Sequence, residues 1–212
     1  ITGEKRYTEA EIREVSGVKD GDNLFLLNKY QVIRNIAEAL PYVELEETRV
    51  QRKLPDTLLI EIKECGDPLA WAQDGTVWLV SPGGKIVEQR NTVGDYPTID
   101  GCRLLAPSVG TLIALDTEND TRWQSLLELL AALEAADKLG EVDAIHIGNA
   151  AYLTMDYMGR FSVELNYDAD FAYKLRTLDA ILASGKIQEN MTGTFNMRGE
   201  DGKTNFIQNS VK

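Results

Sequence analysis

The hydrophobic period changes once in the first 64 residues, at Pro41, and that change limits what the chain can build. Before it, apolar residues recur at helical spacing; after it, they alternate. Thr8 and Glu11 have capping-box spacing, in which the hydroxyl accepts from the amide three residues on and the carboxylate reaches back. Ile12 and Val15 then share a face until Gly17, a residue suited to ending a helix. Asn28 with Gln31 predicts a second cap. Val32, Ile33, Ile36 and Leu40 continue at helical spacing until Pro41, which has no amide proton to give. Residues 19–23 form a turn-rich link. From Tyr42 onward Val43 and Leu45 alternate with acids, which predicts an extended run. Val50 to Arg52 continue it, and Leu54-Pro55-Asp56 reverses the chain. Leu58, Ile60 and Ile62 then place apolar side chains on one face of a strand. Two short helices followed by a hairpin bury both patterns by stacking in layers.

The whole chain has 212 residues, enough for one large domain or two small ones. Its 43% hydrophobic and 26% charged residues match ordinary globular composition, against both a disordered chain and a disulfide miniprotein. Against 34 Asp and Glu stand 22 Lys and Arg, a net charge of −12, which disfavours binding to nucleic acid or to an anionic membrane surface. No stretch reaches the roughly 18 to 20 apolar residues of a membrane-spanning helix, and no leader-like start is present. The sequence opens at Ile1, so an anchor or address upstream is compatible with it. Cys65 and Cys102 have no CxxC spacing and could be one disulfide or two half-buried thiols.

Beyond residue 65, strands are expected at 68–71, 76–80 and 85–87, around the turn Ser81-Pro82-Gly83-Gly84, with Trp71 and Trp78 supplying core area. Asp120 or Thr121 can cap a helix with an apolar stripe of Trp123, Leu126, Leu127, Leu130 and Leu133, stopped at Gly140. Strands at 142–147, 153–157 and 161–165 follow, with a hairpin at Gly159. Asp170 can cap a last helix in which Tyr173 or Lys174, then Leu178, Ile181 and Leu182, approach helical spacing before Gly185. Residues 193–198, an acidic turn at 199–202 and residues 203–208 form a terminal hairpin.

Catalytic constellations are scarce. His146 is the one histidine, which excludes multi-histidine metal sites, and no GxSxG elbow accompanies it, so a half-exposed structural histidine is expected. Gly202-Lys203-Thr204 mimics the end of a phosphate loop, but Met197 occupies the place of its first glycine. Asp116, Glu118 and Asp120 have calcium-loop spacing, yet Thr121 and Leu127 replace the turn glycine and the bidentate acid; a solvated helix entry fits better. An enzymatic reading would need convergent acids in a cleft. A domain of several strands without such a constellation can instead act by lending a sheet edge to a partner segment.

The run Gly21-x-Asn23-Leu24, Ile33, Ile36, Leu40-Pro41-Tyr42-Val43, then Val50-x-Arg52-x-Leu54-Pro55-x-Thr57-Leu58-x-Ile60-x-Ile62-x-Glu64, resembles the POTRA domain of the FtsQ/DivIB cell-division family. The first POTRA strand would precede Gly3 and be truncated here. One departure lies at the junction, where Cys65 replaces the family's Arg and one residue is added before Pro68-Leu69-Ala70. The Ala70-Trp71 strand and the segment Tyr96-Pro97-Thr98-Ile99-Asp100-Gly101 resemble the family's second domain in order. Of its Asp-x-Arg only Arg198 is present.

The resemblance implies an α+β fold: a POTRA domain over residues 1–64, two helices packed on a short sheet, then a mostly antiparallel mixed-sheet domain with two long helices over 65–212. It implies the extracytoplasmic region of a single-pass cell-membrane protein anchored upstream of Ile1, non-enzymatic and without cofactor, metal or nucleic acid. Such a divisome scaffold binds FtsB/DivIC-type and FtsL-type partners by strand addition and helps assemble the septal peptidoglycan machinery. Arg198 and the strand holding Lys203, Thr204, Asn205, Phe206 and Ile207 are the implied partner surface, and the POTRA segment a second one for other membrane division proteins. The alternative is a POTRA-bearing polypeptide-transport or chaperone module, which would normally continue into a membrane β-barrel rather than into two long helices.

Overall fold

The computed structural model describes residues 1–2, 6–115, 121–199 and 203–209. The acidic triplet Asp116, Glu118 and Asp120 and the tip of the turn at 200–202 lie outside the described residues, while of the strand proposed before Gly3 only Ile1 and Thr2 are described.

Thr8 caps α1 (Glu9–Ser16) with the full capping box: Thr8 Oγ1 accepts from the Glu11 amide at 3.3 Å, and the Glu11 carboxylate accepts from the Thr8 amide at 2.7 Å. Asn28 caps α2 (Lys29–Ala39), its Oδ1 accepting from the amides of Tyr30 and Gln31. β1 (Arg49–Lys53) and β2 (Thr57–Glu61) pair antiparallel from Arg49↔Glu61 to Lys53↔Thr57. On the other side of β2, Thr2 runs parallel, donating to the Ile60 carbonyl at 3.1 Å and accepting from the Ile62 amide at 3.0 Å. Ile12, Val32, Ile36, Leu40, Val43, Val50, Ile60 and Ile62 close the core between helices and sheet. The extended run expected from Tyr42 is corrected: only Val43 bridges, to Glu64, and residues 45–47 form a turn. The amide and the hydroxyl of Thr48 both donate to the Glu44 carbonyl, at 3.1 and 2.7 Å, and this local closure outcompetes a ladder. Leu45 is left exposed.

Among the described residues, the rest of the chain builds one nine-stranded sheet. Its strands are β3 (Leu69–Gln73), β4 (Thr76–Val80), β5 (Ile86–Arg90), β6 (Thr98–Asp100), β7 (Val142–His146), β8 (Tyr152–Tyr157), β9 (Phe161–Asn166), β10 (Gly193–Asn196) and β11 (Asn205–Gln208). Their spatial order is β11-β10-β9-β8-β7-β6-β3-β4-β5. The β3–β6, β6–β7 and β9–β10 pairs are parallel and the others antiparallel, so the fold is α+β with a mixed sheet. Met158, Gly159 and Arg160 join β8 to β9 as a three-residue connection; the Arg160 amide donates to Tyr157 O at 3.3 Å across a turn whose central residues, Met158 and Gly159, both have positive φ (56° and 65°).

Helices α3 (Thr121–Ala135) and α4 (Phe171–Ala183) bury one face of the sheet, packing Leu126, Leu129, Leu130, Leu133, Phe171, Leu175 and Leu178 against Trp71, Ile99, Ile145, Leu153, Met155, Val163, Leu165 and Phe195. Asp170 caps α4 as expected. Two expectations for α3 are corrected. The buried stripe uses Leu129, while Trp123 and Leu127 sit on its flank and cover the Gly84 turn. The helix also stops at Ala135, not Gly140: the Lys138 amide reaches back to Leu133 O at 2.8 Å and the Asp137 amide to Glu134 O at 3.0 Å, with Asp137 at φ 55. That is a Schellman closure, with aspartate in the left-handed position usually held by glycine. In α4, Lys174 is on the buried side and Tyr173 is exposed.

Among the described residues, the second face of the sheet is covered at the β3–β5 end, where Tyr42, with Tyr7 and Cys65 beside it, packs on Ala70, Val77, Leu79 and Val87. Tyr42 donates to Glu88 at 2.8 Å, and Lys85 Nζ donates to the carbonyls of Ala37 and Val43, both at 3.2 Å, satisfying the end of α2. Burial lowers the pKa of Lys85 and raises that of Glu44. Burial, with Glu44 adding to it, also pushes the Cys65 thiol up to about 12. Cys65 and Cys102 are separate free thiols.

Leu130 lies at the centre of the helix-to-sheet contact and is fully buried. Replacing it with alanine should cost about 2–5 kcal/mol, read as a lower urea midpoint at unchanged slope; an unchanged midpoint would contradict the packing described.

Candidate protein-docking edge

β11 ends the sheet. It pairs with β10 from Gly193↔Gln208 to Asn196↔Asn205, and among the described residues no strand lies beyond it. The direction of its main-chain groups follows from the ladder. The Asn209 amide donates to Thr192 O at 2.9 Å, while on the other side of β10 the amides of Gly193 and Met197 donate to Arg160 O and Glu164 O at 3.2 and 3.0 Å. Thr194↔Ile207 and Asn196↔Asn205 are therefore the hydrogen-bonded pairs, and the amide and carbonyl of Phe206 and Gln208 point away from β10. An incoming strand would meet those groups first.

The side chains of the implied surface divide between two faces. Phe206 turns to the helix side, 4.8 Å from the Phe195 ring and 6.2 Å from Phe161, which is itself 5.1 Å from Phe195. Half of its ring is thus core. Gly193 permits this approach, since a Cβ there would fall 2.3 Å from Ile207 O and 2.8 Å from the Phe206 ring. Asn205 and Ile207 lie on the opposite, open face and are exposed. Lys203 and Thr204 lead into the strand.

Arg198 also lies on the open face and is held from several directions. Its guanidinium pairs with Glu164 on β9 at 3.1 Å and stacks over Tyr152 on β8 at 4.5 Å. Its amide and Nε donate to Asn196 Oδ1 at 3.3 and 3.4 Å, and its carbonyl accepts from Asn166 Nδ2 at 2.8 Å. Next to it, the Lys174 side chain, 8% exposed, donates to Gly199 O at 2.7 Å. Tyr152, Glu164, Asn166 and Lys174 therefore position Arg198 and the start of the β10–β11 connection. The sequence pattern does not select them, because they meet only through strand register.

The other end of the sheet is partly covered by the chain itself: the Ile86 amide donates to Thr111 O and the Gly110 amide to Ile86 O, both at 2.8 Å. The two ends are thus unlike.

His146 sits on the open face between two carboxylates, its Nδ1 at 3.0 Å from both oxygens of Asp100 on β6 and its Nε2 at 3.2 Å from Asp156 on β8. With both nitrogens engaged, the imidazole holds three strands together and has no nitrogen turned to a substrate. Among the described residues no group of three or more His, Cys, Asp or Glu side chains is arranged to hold a metal. Partial burial lowers the proton affinity of His146, but the two carboxylates outweigh it and its pKa lies above the usual value. The clamp therefore adds stability below the unfolded value of about 6.5, and that stability is lost as pH rises through the higher folded value. His146→Gln should lower the melting temperature at about pH 5.5 and do so less at about pH 8.5. An equal effect at both would show that the ring is not held charged.

Residues 1–64 match the family described as POTRA domain, FtsQ-type. Over 98% of its length the chain is 22% identical to the cell division protein DivIB of Clostridium botulinum and 21% identical to that of Clostridium tetani, covering 80% and 77% of those proteins. The cell division protein FtsQ of Corynebacterium glutamicum is 27% identical over 144 residues, 66% of this chain and 63% of that protein. Two capped helices on a short sheet, followed by a large open mixed sheet, make an α+β fold with a POTRA domain at its amino terminus, and the relatives indicate a cell-division protein. Residues 1–64 are thus similar to FtsQ-type POTRA domains, and nearly the whole chain is similar to DivIB cell division proteins.

Proposed function

We propose that this chain is the extracytoplasmic part of a single-pass division protein, a non-enzymatic scaffold that captures partners of the FtsB/DivIC and FtsL types by strand addition to β11. In this reading residues 1–64 are the POTRA domain, residues 65–212 the partner-binding β domain, and a membrane anchor lies ahead of Ile1. The observation that carries it is the outward amide and carbonyl of Phe206 and Gln208 on a terminal strand. Main-chain hydrogen bonds from those groups supply affinity, and Arg198, Asn205 and Ile207 on the open face discriminate among partners. Lys203 and Thr204 flank the entry. Arg198 is already held by Glu164 and Tyr152, so little side-chain freedom is lost when a partner docks on it.

Two substitutions test the edge, and the first separates binding from folding. Gln208→Pro removes an outward amide and leaves the bonded pairs Thr194↔Ile207 and Asn196↔Asn205 intact, which an edge strand tolerates. It should weaken binding of an FtsB/DivIC-type peptide at least about tenfold in titration calorimetry, with the melting temperature nearly unchanged. Phe206→Asp, which places a charge against Phe195 and Phe161, should abolish binding and also loosen the hairpin. Unchanged titration of the Gln208→Pro variant would exclude strand addition at β11.

A further inference from the structure

The largest exposed apolar side chains of the amino-terminal unit gather at one end of it. Phe25 and Leu26 are 70% and 83% exposed in the link before α2, Tyr30 is 85% exposed on the first turn of α2, and Leu54, at the tip of the β1–β2 hairpin, is 60% exposed. The link is tied to the hairpin because Arg52 Nη2 donates to Leu27 O at 2.6 Å. The turn that presents Phe25 and Leu26 is built locally: the Phe25 amide donates to Asn23 Oδ1 at 2.9 Å and the Leu26 amide to Asn23 O at 3.0 Å. These apolar side chains are thus held outward by the fold.

Chain direction says what lies at this end. Thr2 pairs in parallel with β2 opposite Glu61, so the chain leading into Ile1 comes from the Thr57 end of that strand. Ile1 lines a surface hollow with Leu24, Asp56 and Thr57, which places it beside the same tip. β2 likewise runs away from that tip, from Thr57 to Glu61, and the chain continues to Cys65, which packs beside the large sheet. A membrane anchor ahead of Ile1 would therefore meet the molecule where Phe25, Leu26 and Leu54 project, and the large sheet would lie on the far side.

We propose that this tip rests on the lipid bilayer, with Phe25, Leu26 and Leu54 in the interfacial zone and Lys29 and Lys53 beside them at headgroup level. The inference rests on the anchor assigned to this chain under its proposed function. A protein groove needs a walled site, and side chains this exposed have few neighbours to form walls; an interface of lipid accepts projecting apolar groups without shape complementarity. Asp22 and Asp56 are close by, so the contact is driven by apolar burial and does not require anionic lipid.

The test holds the full chain on phosphatidylcholine vesicles through an amino-terminal hexahistidine tag and nickel-chelating lipid, and compares its amide exchange with that of the free chain. Peptides covering residues 23–28 and 53–57 should exchange about threefold or more slowly when tethered. The loop carrying Leu105 and Leu112, also exposed and apolar, should not change. A Phe25→Ser, Leu26→Ser variant should lose the slowing at an unchanged melting temperature, since neither side chain is buried. No slowing at the tip, equal slowing throughout, slowing only with anionic lipid, or slowing only after a protein partner is added would each overturn the proposal. Partner titration at β11 is a separate readout on the same sample, so failure of the edge and failure of the membrane seat are told apart.

Discussion

An open β-sheet must end twice, and each end leaves a row of main-chain amides and carbonyls that need water, a cover or a partner. This molecule treats its two ends differently. At β5 its own loop donates and accepts at Ile86 through residues 110 and 111. At β11 the last bonded pairs are internal and the groups of Phe206 and Gln208 are left to whatever comes next. Aromatic packing of Phe206 on Phe195 and Phe161 keeps the terminal strand in place despite its having one neighbour, so the free edge has a rigid backing. Covering one end with the chain's own loop also removes a second site for edge-to-edge association.

The same asymmetry governs which parts of the fold were legible in the sequence. β8 and β9 bury one face only and alternate strictly, so their limits could be read from period-two patterning. β4 is buried on both faces, by the helices on one side and Tyr42 on the other, and its run of Val77, Trp78, Leu79 and Val80 carries no alternation; the flanking turns betray it instead. Caps were legible where a side chain closes its own helix, as at Thr8, Asn28 and Asp170. The end of α3 was not, because Asp137 adopts the left-handed position that glycine usually marks, and Gly140 further on is a plausible but unused stop. Residues 42–47 misled for a similar reason: alternation in composition gave way to two bonds from one threonine.

For the candidate edge, the hairpin was readable but its chemistry was not. That residues 203–208 form a strand follows from composition. Which of its amides face outward depends on pairing with β10, and the parallel placement of β10 on β9 joins segments some thirty residues apart. Arg198 stood out only through family resemblance. Its partners Glu164 and Tyr152, and the nearby buried Lys174, come from three separate elements that no local motif connects.

The junction between the two units gives these separate features a mechanical relation. Tyr42 inserts over β3–β5 and bonds to Glu88, Arg6 stacks on its ring at 3.9 Å, and Lys85 crosses to the last turn of α2 and to Val43. A lysine half-buried against carbonyl oxygens is costly to pull away, because its donors would have to find new partners as the contact opens. From β4, where Tyr42 packs, to β11 there are seven inter-strand steps, roughly 34 Å at about 4.8 Å each. Over such a lever a loose junction would let the free edge sweep a wide arc, and a partner strand would lose affinity to the entropy of finding it. With the junction packed and bonded, the orientation of the amino-terminal unit dictates where the β11 edge stands.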